Sequence, residues 1–203
     1  MSEKRTNRFY QETDGIFRLR VPFDTVYTSV FLLQAEIGVI LVDCATTDGD
    51  VNDVILPALG ELGYEPSDIR ALILTHSHGD HAGGRARLLA LSPRIEVITS
   101  VREICNGIST YPLPGHTEDS IGVFDERTRT LISGDGLQGA GVDKYRCCLE
   151  TPKAYMETLK RVESDERIEN ILFSHAYEPW NTDIAVGRER VLDCIAQCKK
   201  YVK

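Results

Sequence analysis

Apolar residues in this chain fall into two rhythms. Runs rich in β-branched and aromatic residues, GIFRLRV (15–21), TVYTSVFLLQ (25–34) and GVILVD (38–43), predict consecutive strands. DVNDVILPALGELG (50–63) carries apolar residues at helical spacing with a glycine near its end, which predicts a helix kinked at Pro57. ALILT (71–75) suits a short buried strand, 82–91 a helix stopped by Ser92-Pro93, and RIEVITS (94–100) another strand. IGVFDE (121–126) and RTLISGD (129–135) predict a hairpin turning through Arg127 and Thr128. Thr151-Pro152 marks a helix start, with proline where its missing N–H costs nothing. That helix is expected to reach about Val162. NILFS (170–174) predicts a further buried strand, and 183–202 an amphipathic terminal helix.

The order is strands, βα alternation, strands again, and a βα end. It predicts two sheets packed face to face with helices outside, although the order alone also fits a three-layer α/β fold. No linker, short repeat or low-complexity tract interrupts 203 residues, so one domain over 1–203 is expected. The hydrophobic share of 42% and charged share of 27% are those of an ordinary globular protein. A formal charge of −8 disfavours nucleic acid and acidic membranes as partners. No run reaches the ~18 apolar residues of a membrane helix, and MSEKRTNRFYQETDG has no apolar core of a secretory leader. The six cysteines lack regular spacing and read as reduced thiols rather than a disulfide framework. These features predict a cytoplasmic protein acting on a small molecule, with a homodimer permitted.

The chemistry concentrates in THSHGDHAGG (75–84), which holds three of the five histidines. His76 and His78 are two apart, so in an extended segment both imidazoles reach one metal ion. Gly79 permits an unusual backbone angle, so the chain can bend and send Asp80 and His81 toward a second position. Gly83 and Gly84 let the backbone pass close to the ions or to a neighbouring strand. His116 lies in LPGHTEDS, Asp135 in ISGDG and His175 in LFSHAYEPW. Three of these four segments begin where an apolar strand run ends, which is where ligands collect in α/β folds. Five imidazoles and two carboxylates are too many for one tetrahedral zinc and suit two ions sharing a carboxylate. Zinc is the first choice, with iron or manganese chemically allowed.

THSHGDHAGG, PGHT, SGDG and a late histidine after an apolar strand resemble the metallo-β-lactamase superfamily, and the match covers most of the chain. LVDCATTDGD (41–50) resembles the family's early strand ending in aspartate, here Asp43. The resemblance implies a four-layer αββα sandwich of two mixed β-sheets, with a dinuclear metal site at one edge. It implies His76, His78 and His116 on a first metal, Asp80, His81 and His175 on a second, Asp135 bridging both, and Asp43 holding the ligand loops by hydrogen bonds. Asp135 stands where the commonest zinc β-lactamases have cysteine, and His78 where the flavodiiron oxidoreductases have glutamate. The remaining likeness is to the hydroxyacylglutathione hydrolase and lactonase branch. Two departures stand out: Ser174 and Ala176 flank His175, and only 28 residues follow it.

What the resemblance implies is a hydrolase of a small ester, thioester or lactone, with a hydroxide shared by two divalent ions as nucleophile. Asp80 and Asp135 are its catalytic carboxylates, Asp80 orienting the hydroxide and later taking its proton. Two rivals stay open: a mononuclear iron persulfide or thiol dioxygenase using His76, His116 and Asp135, and a non-catalytic metal-binding sensor. Tyr145, Tyr177 and Trp180 are candidates for the pocket wall, and 137–150, glycine-rich at its start, for a loop over the site. Cys147 and Cys148 have no spare histidine to activate them and read as structural. Cys194 and Cys198, four apart on a helix, read as a buried apolar pair.

Overall fold

A computed structural model describes residues 8–23, 26–137, 149–177 and 182–202, with only the backbone of Phe23, Tyr177 and Tyr201. The chain divides into two compact units. One holds the residues up to Leu74 together with His78–Ile98; the other holds Thr75–Ser77 and everything from Thr99 on.

In the first unit the described strands form one mixed sheet. They are β1 (Tyr10–Thr13), β2 (Ile16–Phe23), β3 (Val26–Ala35), β4 (Gly38–Val42), β5 (Ile69–Ile73) and β6 (Glu96–Ile98), hydrogen-bonded in that order. β1 to β4 are antiparallel, and β4, β5 and β6 run parallel. Glycines make the tight reversals: Gly15 (φ 70°) joins β1 to β2 and Gly38 (φ 118°) opens β4. Side chains alternate across the pleat. Leu19, Val21, Val30, Leu32, Leu41 and Leu72 pack with Val51, Ile55, Ala58, Leu59 and Leu88 of the helical segments. The alternate set, Ile16, Phe31, Leu33, Ile40, Val42 and Ile73, is fully buried as well. Burial on both faces explains why VFLL and VILV are unbroken apolar runs. Truncating one such leucine to alanine costs about 2–5 kcal/mol.

The β4–β5 crossover carries the expected helix in three pieces: α1 (Asp48–Asp50), a π turn over Val51–Ile55, and α2 (Leu56–Glu61). Thr47 and Asp50 start it with a reciprocal capping box. The irregularity expected at Pro57 is the wide turn just before it, where the Leu56 N–H donates to the Val51 carbonyl. Proline cannot make the next α-helical bond, and the π turn absorbs the mismatch. The helix expected over 82–91 comes as α3 (Gly79–Ala82) and α4 (Arg85–Leu91), ending at Ser92 beside Pro93.

The second unit has β7 (Glu103–Cys105), β8 (Ile108–Pro112), β9 (Ile121–Asp125), β10 (Thr130–Ile132), helix α5 (Pro152–Ser164), β11 (Asn170–Tyr177), β12 (Thr182–Val186) and helix α6 (Arg188–Tyr201). Its sheet runs β12-β11-β10-β9-β8-β7, parallel only between β10 and β11. Phe124, Leu131, Ile171 and Phe173 pack with Tyr155, Leu159 and Val162 of α5 and with Val191, Cys194, Ile195 and Cys198 of α6. The last two cysteines are thus the buried pair expected. Cys44, Cys105, Cys194 and Cys198 are all buried, and none is in a disulfide.

Three short strands, β1, β7 and β8, were not legible in the apolar pattern. The helix expected over 183–202 is corrected as well. Thr182–Val186 pairs antiparallel with β11, and Gly187 (φ 85°) breaks the chain before α6. Ile184, Ala185 and Val191 mimic helical spacing because strand and helix follow each other with one residue between. Among the described residues, no helix is long and apolar enough to cross a membrane.

Candidate metal centre

In the second unit, four of the seven expected ligands come together. His76, His116, Asp135 and His175 are all buried, each 3–6% exposed. The rings of His76 and His116 meet edge to face, with centroids 4.8 Å apart and planes at 85°. A ligand atom of His76 lies within 4.8 Å of one on His116, and within 4.8 Å of one on Asp135. Asp135 turns each oxygen to a different imidazole: Oδ2 is 3.7 Å from His116 Nε2, and Oδ1 is 3.3 Å from His175 Nε2.

Local sequence fixes each of these side chains. Thr75 Oγ1 lies 3.1 Å from His76 Nδ1, and the Thr75 carbonyl accepts from the Ile121 N–H. The PGHT loop is tied by Thr117, whose hydroxyl reaches Asp119 at 2.6 Å and Ser120 Oγ at 2.7 Å. In SGDG, Gly134 takes φ 53°, and a Cβ there would stand 2.5 Å from Thr75 Cβ. Only glycine brings Asp135 around that corner. His175 sits inside β11 rather than just after a strand, within an irregularity of the β11–β12 register between Leu172 and Tyr177.

In the first unit, Asp80 and His81 ride on the single turn α3, whose N-cap is the exposed His78. His81 is fully buried, with Nδ1 2.7 Å from Asp43 Oδ2 and Nε2 3.4 Å from Asp80 Oδ2. The same Asp80 oxygen accepts from Thr28 Oγ1 at 3.1 Å. Asp43 directly follows β4 with φ 63°, and its N–H donates to the Ile73 carbonyl. Beside it, the Cys44 N–H and thiol both reach the His81 carbonyl, at 2.8 and 3.3 Å. Burial, then the neighbouring Asp43 charge, pushes the Cys44 thiol up to about 12.

The glycines of the motif divide in role. Gly79 opens a helical turn with an ordinary φ and makes no use of the unusual angle that glycine permits. The close approach belongs to Gly83 and Gly84: a Cβ would lie 1.9 Å from the Thr46 carbonyl oxygen at the first and 2.3 Å from that of Cys44 at the second. Both N–H groups donate to the Ala45 carbonyl. The Gly-Gly pair therefore packs the end of α3 onto the loop that carries Asp43.

The donor set fits divalent metal. The His–Asp separations of 3.3, 3.4 and 3.7 Å exceed a charge-assisted hydrogen bond of about 2.7–2.9 Å. Two ligands at about 2.0–2.1 Å from one tetrahedral ion stand about 3.3–3.4 Å apart. The Asp43 contact with Nδ1 would turn His81 Nε2 to a metal, and Thr75 would do the same for His76.

Asp43 was expected to hold the ligand loops, and its carboxylate contacts the expected ligand His81 directly. Thr28 and Thr75 were missed. Thr75 carries a signal, since it opens the histidine motif; Thr28 is 52 residues from Asp80 in sequence and carries none. Tyr145, Trp180, Cys147, Cys148 and the side chain of Tyr177 lie outside the described residues, as does most of the 137–150 loop.

A family model described as the metallo-β-lactamase superfamily matches residues 23–101. A hydroxyacylglutathione hydrolase of Vibrio cholerae is 26% identical over 182 residues, covering 76% of this chain and 70% of that protein. One of Pseudomonas syringae is 31% identical over 173 residues, covering 70% and 64%. Among solved structures, a metallo-β-lactamase from Hirschia baltica aligns over 94% of this chain and 96% of its own, with TM-score 0.70 and 20% identity. FIM-1 from Pseudomonas aeruginosa, solved in a mono-zinc form, covers 95% and 94%, with TM-score 0.71 and 17% identity. These structures share the fold, with the two mixed sheets and helices that the sequence predicted. With its HxHxDH motif, its buried aspartate between two imidazoles and these relatives, the chain belongs to the metallo-β-lactamase superfamily of metal-dependent hydrolases.

Proposed function

We propose that this chain hydrolyses a small ester, thioester or lactone at a pair of divalent ions, zinc in the first instance. The observation that carries this reading is Asp135, whose two oxygens face two different imidazoles at 3.3 and 3.7 Å, the arrangement of a carboxylate shared between ions. His76, His78 and His116 would hold one ion, and Asp80, His81 and His175 the other. Bound divalent ions acidify water and polarise a carbonyl oxygen.

The protein's part is orientation and proton handling. Asp43 and Thr75 set the tautomers of His81 and His76, so that ligand nitrogens and not N–H groups face the site. Thr28 donates to Asp80 Oδ2 and so orients this carboxylate, which would position the attacking water, take up its proton on attack and pass a proton to the departing group. Hydroxyacylglutathione hydrolase relatives support a thioester among the substrates. Buried thiols outside disulfides suit a reducing, cytoplasmic setting, and a charge of −8 suits a small-molecule partner rather than nucleic acid.

The test is a turnover screen of zinc-, iron- and manganese-loaded protein against esters, thioesters, lactones and phosphodiesters, with metal content measured on the same samples. Turnover of a carbonyl substrate with nearly two metals per chain supports the reading. A single iron with oxygen consumption on a persulfide or thiol would replace it with the dioxygenase. Full loading with no turnover in any class would make the chain a metal-binding sensor.

A further inference from the structure

We propose that a cleft in the first unit, away from the expected metal ligands, binds a small zwitterion, an amino acid with an apolar side chain. The cleft has a volume of about 290 Å³, and Gln34, Ile37, Tyr64, Asp68 and Arg70 are among the residues that line it. Pockets for small molecules begin at about this size. It lies where β4 and β5 begin, at Gly38 and Ile69. Asp43 follows the other end of β4, roughly 16 Å away at the rise of a strand. The hydrolase reading makes no use of this end of the sheet.

Two backbone features build the cleft. In the β4–β5 ladder Val39 pairs with Ile69 and Ile40 with Ala71, so Arg70 is an extra residue bulged out of the parallel pairing. A bulge re-aims the side chain it carries. Gly38, at φ 118°, makes room for this one: a Cβ there would stand 2.7 Å from Arg70 Cγ. The exposed guanidinium makes no hydrogen bond and no ion pair among the described residues. Asp68 lies two positions earlier, across the extended Ile69, so both side chains leave the backbone on the same side. The Glu65 N–H donates to Asp68 Oδ2 at 2.8 Å, which orients the carboxylate and leaves Oδ1 for a ligand. One cleft thus carries an oriented anion and an unpaired cation. Glu36 lines it too, so a simple anion would meet two carboxylates. A zwitterion satisfies both signs: its carboxylate takes two parallel N–H bonds from Arg70, and its ammonium group donates to Asp68. Gln34 Nε2 donates to the Tyr64 hydroxyl at 2.8 Å and holds that wall in place. Ile37, 40% exposed between β3 and β4, offers apolar surface to the ligand's side chain.

The experiment is calorimetric titration of metal-loaded protein with L-leucine and with two fragments of it. One is 4-methylpentanoate, which lacks the ammonium group; the other is 3-methylbutylamine, which lacks the carboxylate. Leucine should bind at millimolar concentrations or below, and each fragment about tenfold more weakly or worse. Arg70→Gln should weaken leucine about tenfold. Asp68→Asn should do the same, because asparagine keeps an oxygen for the Glu65 N–H and loses the charge that meets the ammonium group. Both variants should keep the parent's urea midpoint. An amino acid can also chelate a metal ion, and binding of that kind would be the same in parent and variants. Leucine affinity unchanged in both variants, fragments that bind as well as leucine, or no binding of leucine would each overturn the proposal. None of these outcomes depends on ester turnover, so the hydrolase reading stands or falls separately.

Discussion

Asp43 Oδ2 and His81 Nδ1 lie 2.7 Å apart with both side chains fully buried, so the carboxylate fixes which imidazole nitrogen carries the proton. The backbone at Asp43 is in the left-handed region, φ 63°, where asparagine is also at ease. Asp43→Asn should therefore fold, with a urea midpoint close to that of the parent. The weaker acceptor should cut metal affinity about 10–100-fold. Competition with a chromophoric chelator measures this. Unchanged affinity would mean that the contact serves folding alone.

Asp135→Ala removes both oxygens that face His116 and His175. Its expected effects are loss of at least one metal equivalent and of most activity. Asp135→Asn keeps one carbonyl oxygen and should retain more metal than the alanine variant. Metal content by elemental analysis, after gel filtration, checks the order parent, asparagine, alanine. Full occupancy in the alanine variant would remove the bridging role.

Two glycines of one motif should respond in opposite ways to alanine. At Gly79 a Cβ meets nothing within 4 Å, and the residue is helical. Gly79→Ala should be neutral or stabilise by up to about 1 kcal/mol. At Gly83 the same carbon would stand 1.9 Å from the Thr46 carbonyl oxygen. Gly83→Ala must push the Asp43 loop away from α3 and should destabilise by about 3 kcal/mol or more. Urea midpoints of the two variants give the comparison.

The same motif shows what a sequence discloses. His76, His78, Asp80 and His81 were legible because spacing in a short segment is itself geometry. His116, Asp135 and His175 were legible through their glycine-bearing or strand-end contexts. Thr28 was not, because its contact with Asp80 depends on the whole β2–β3 ladder bringing distant segments together. For the fold, β3, β4 and β5 announce themselves by continuous apolar runs buried on both faces. β7, with three residues, is too short to show a period. β12 hid inside a helical-looking stretch because Ile184 and Val191 are seven apart, which is two helical turns.

The alkaline side of stability should be set first by thiols. Burial pushes the Cys198 thiol up to about 12, and that of Cys44 to the same value. In the unfolded chain these groups ionise near 8.5. A folded pKa raised in this way contributes stability that is intact below 8.5 and is lost as pH climbs toward 12. Between those limits each thiol should cost about 1.4 kcal/mol per pH unit. Tyr111, also pushed up to about 12 by burial and by Asp165, enters only above its unfolded value of about 10. The interval from pH 9 to pH 10 therefore isolates the cysteines. Urea unfolding at those two pH values should show a smaller drop for Cys198→Ala than for the parent, by about one thiol's worth. The variant's packing loss shifts both points equally and leaves that difference intact. Equal drops in the two proteins would show that the Cys198 thiol ionises as readily in the folded core as in the open chain.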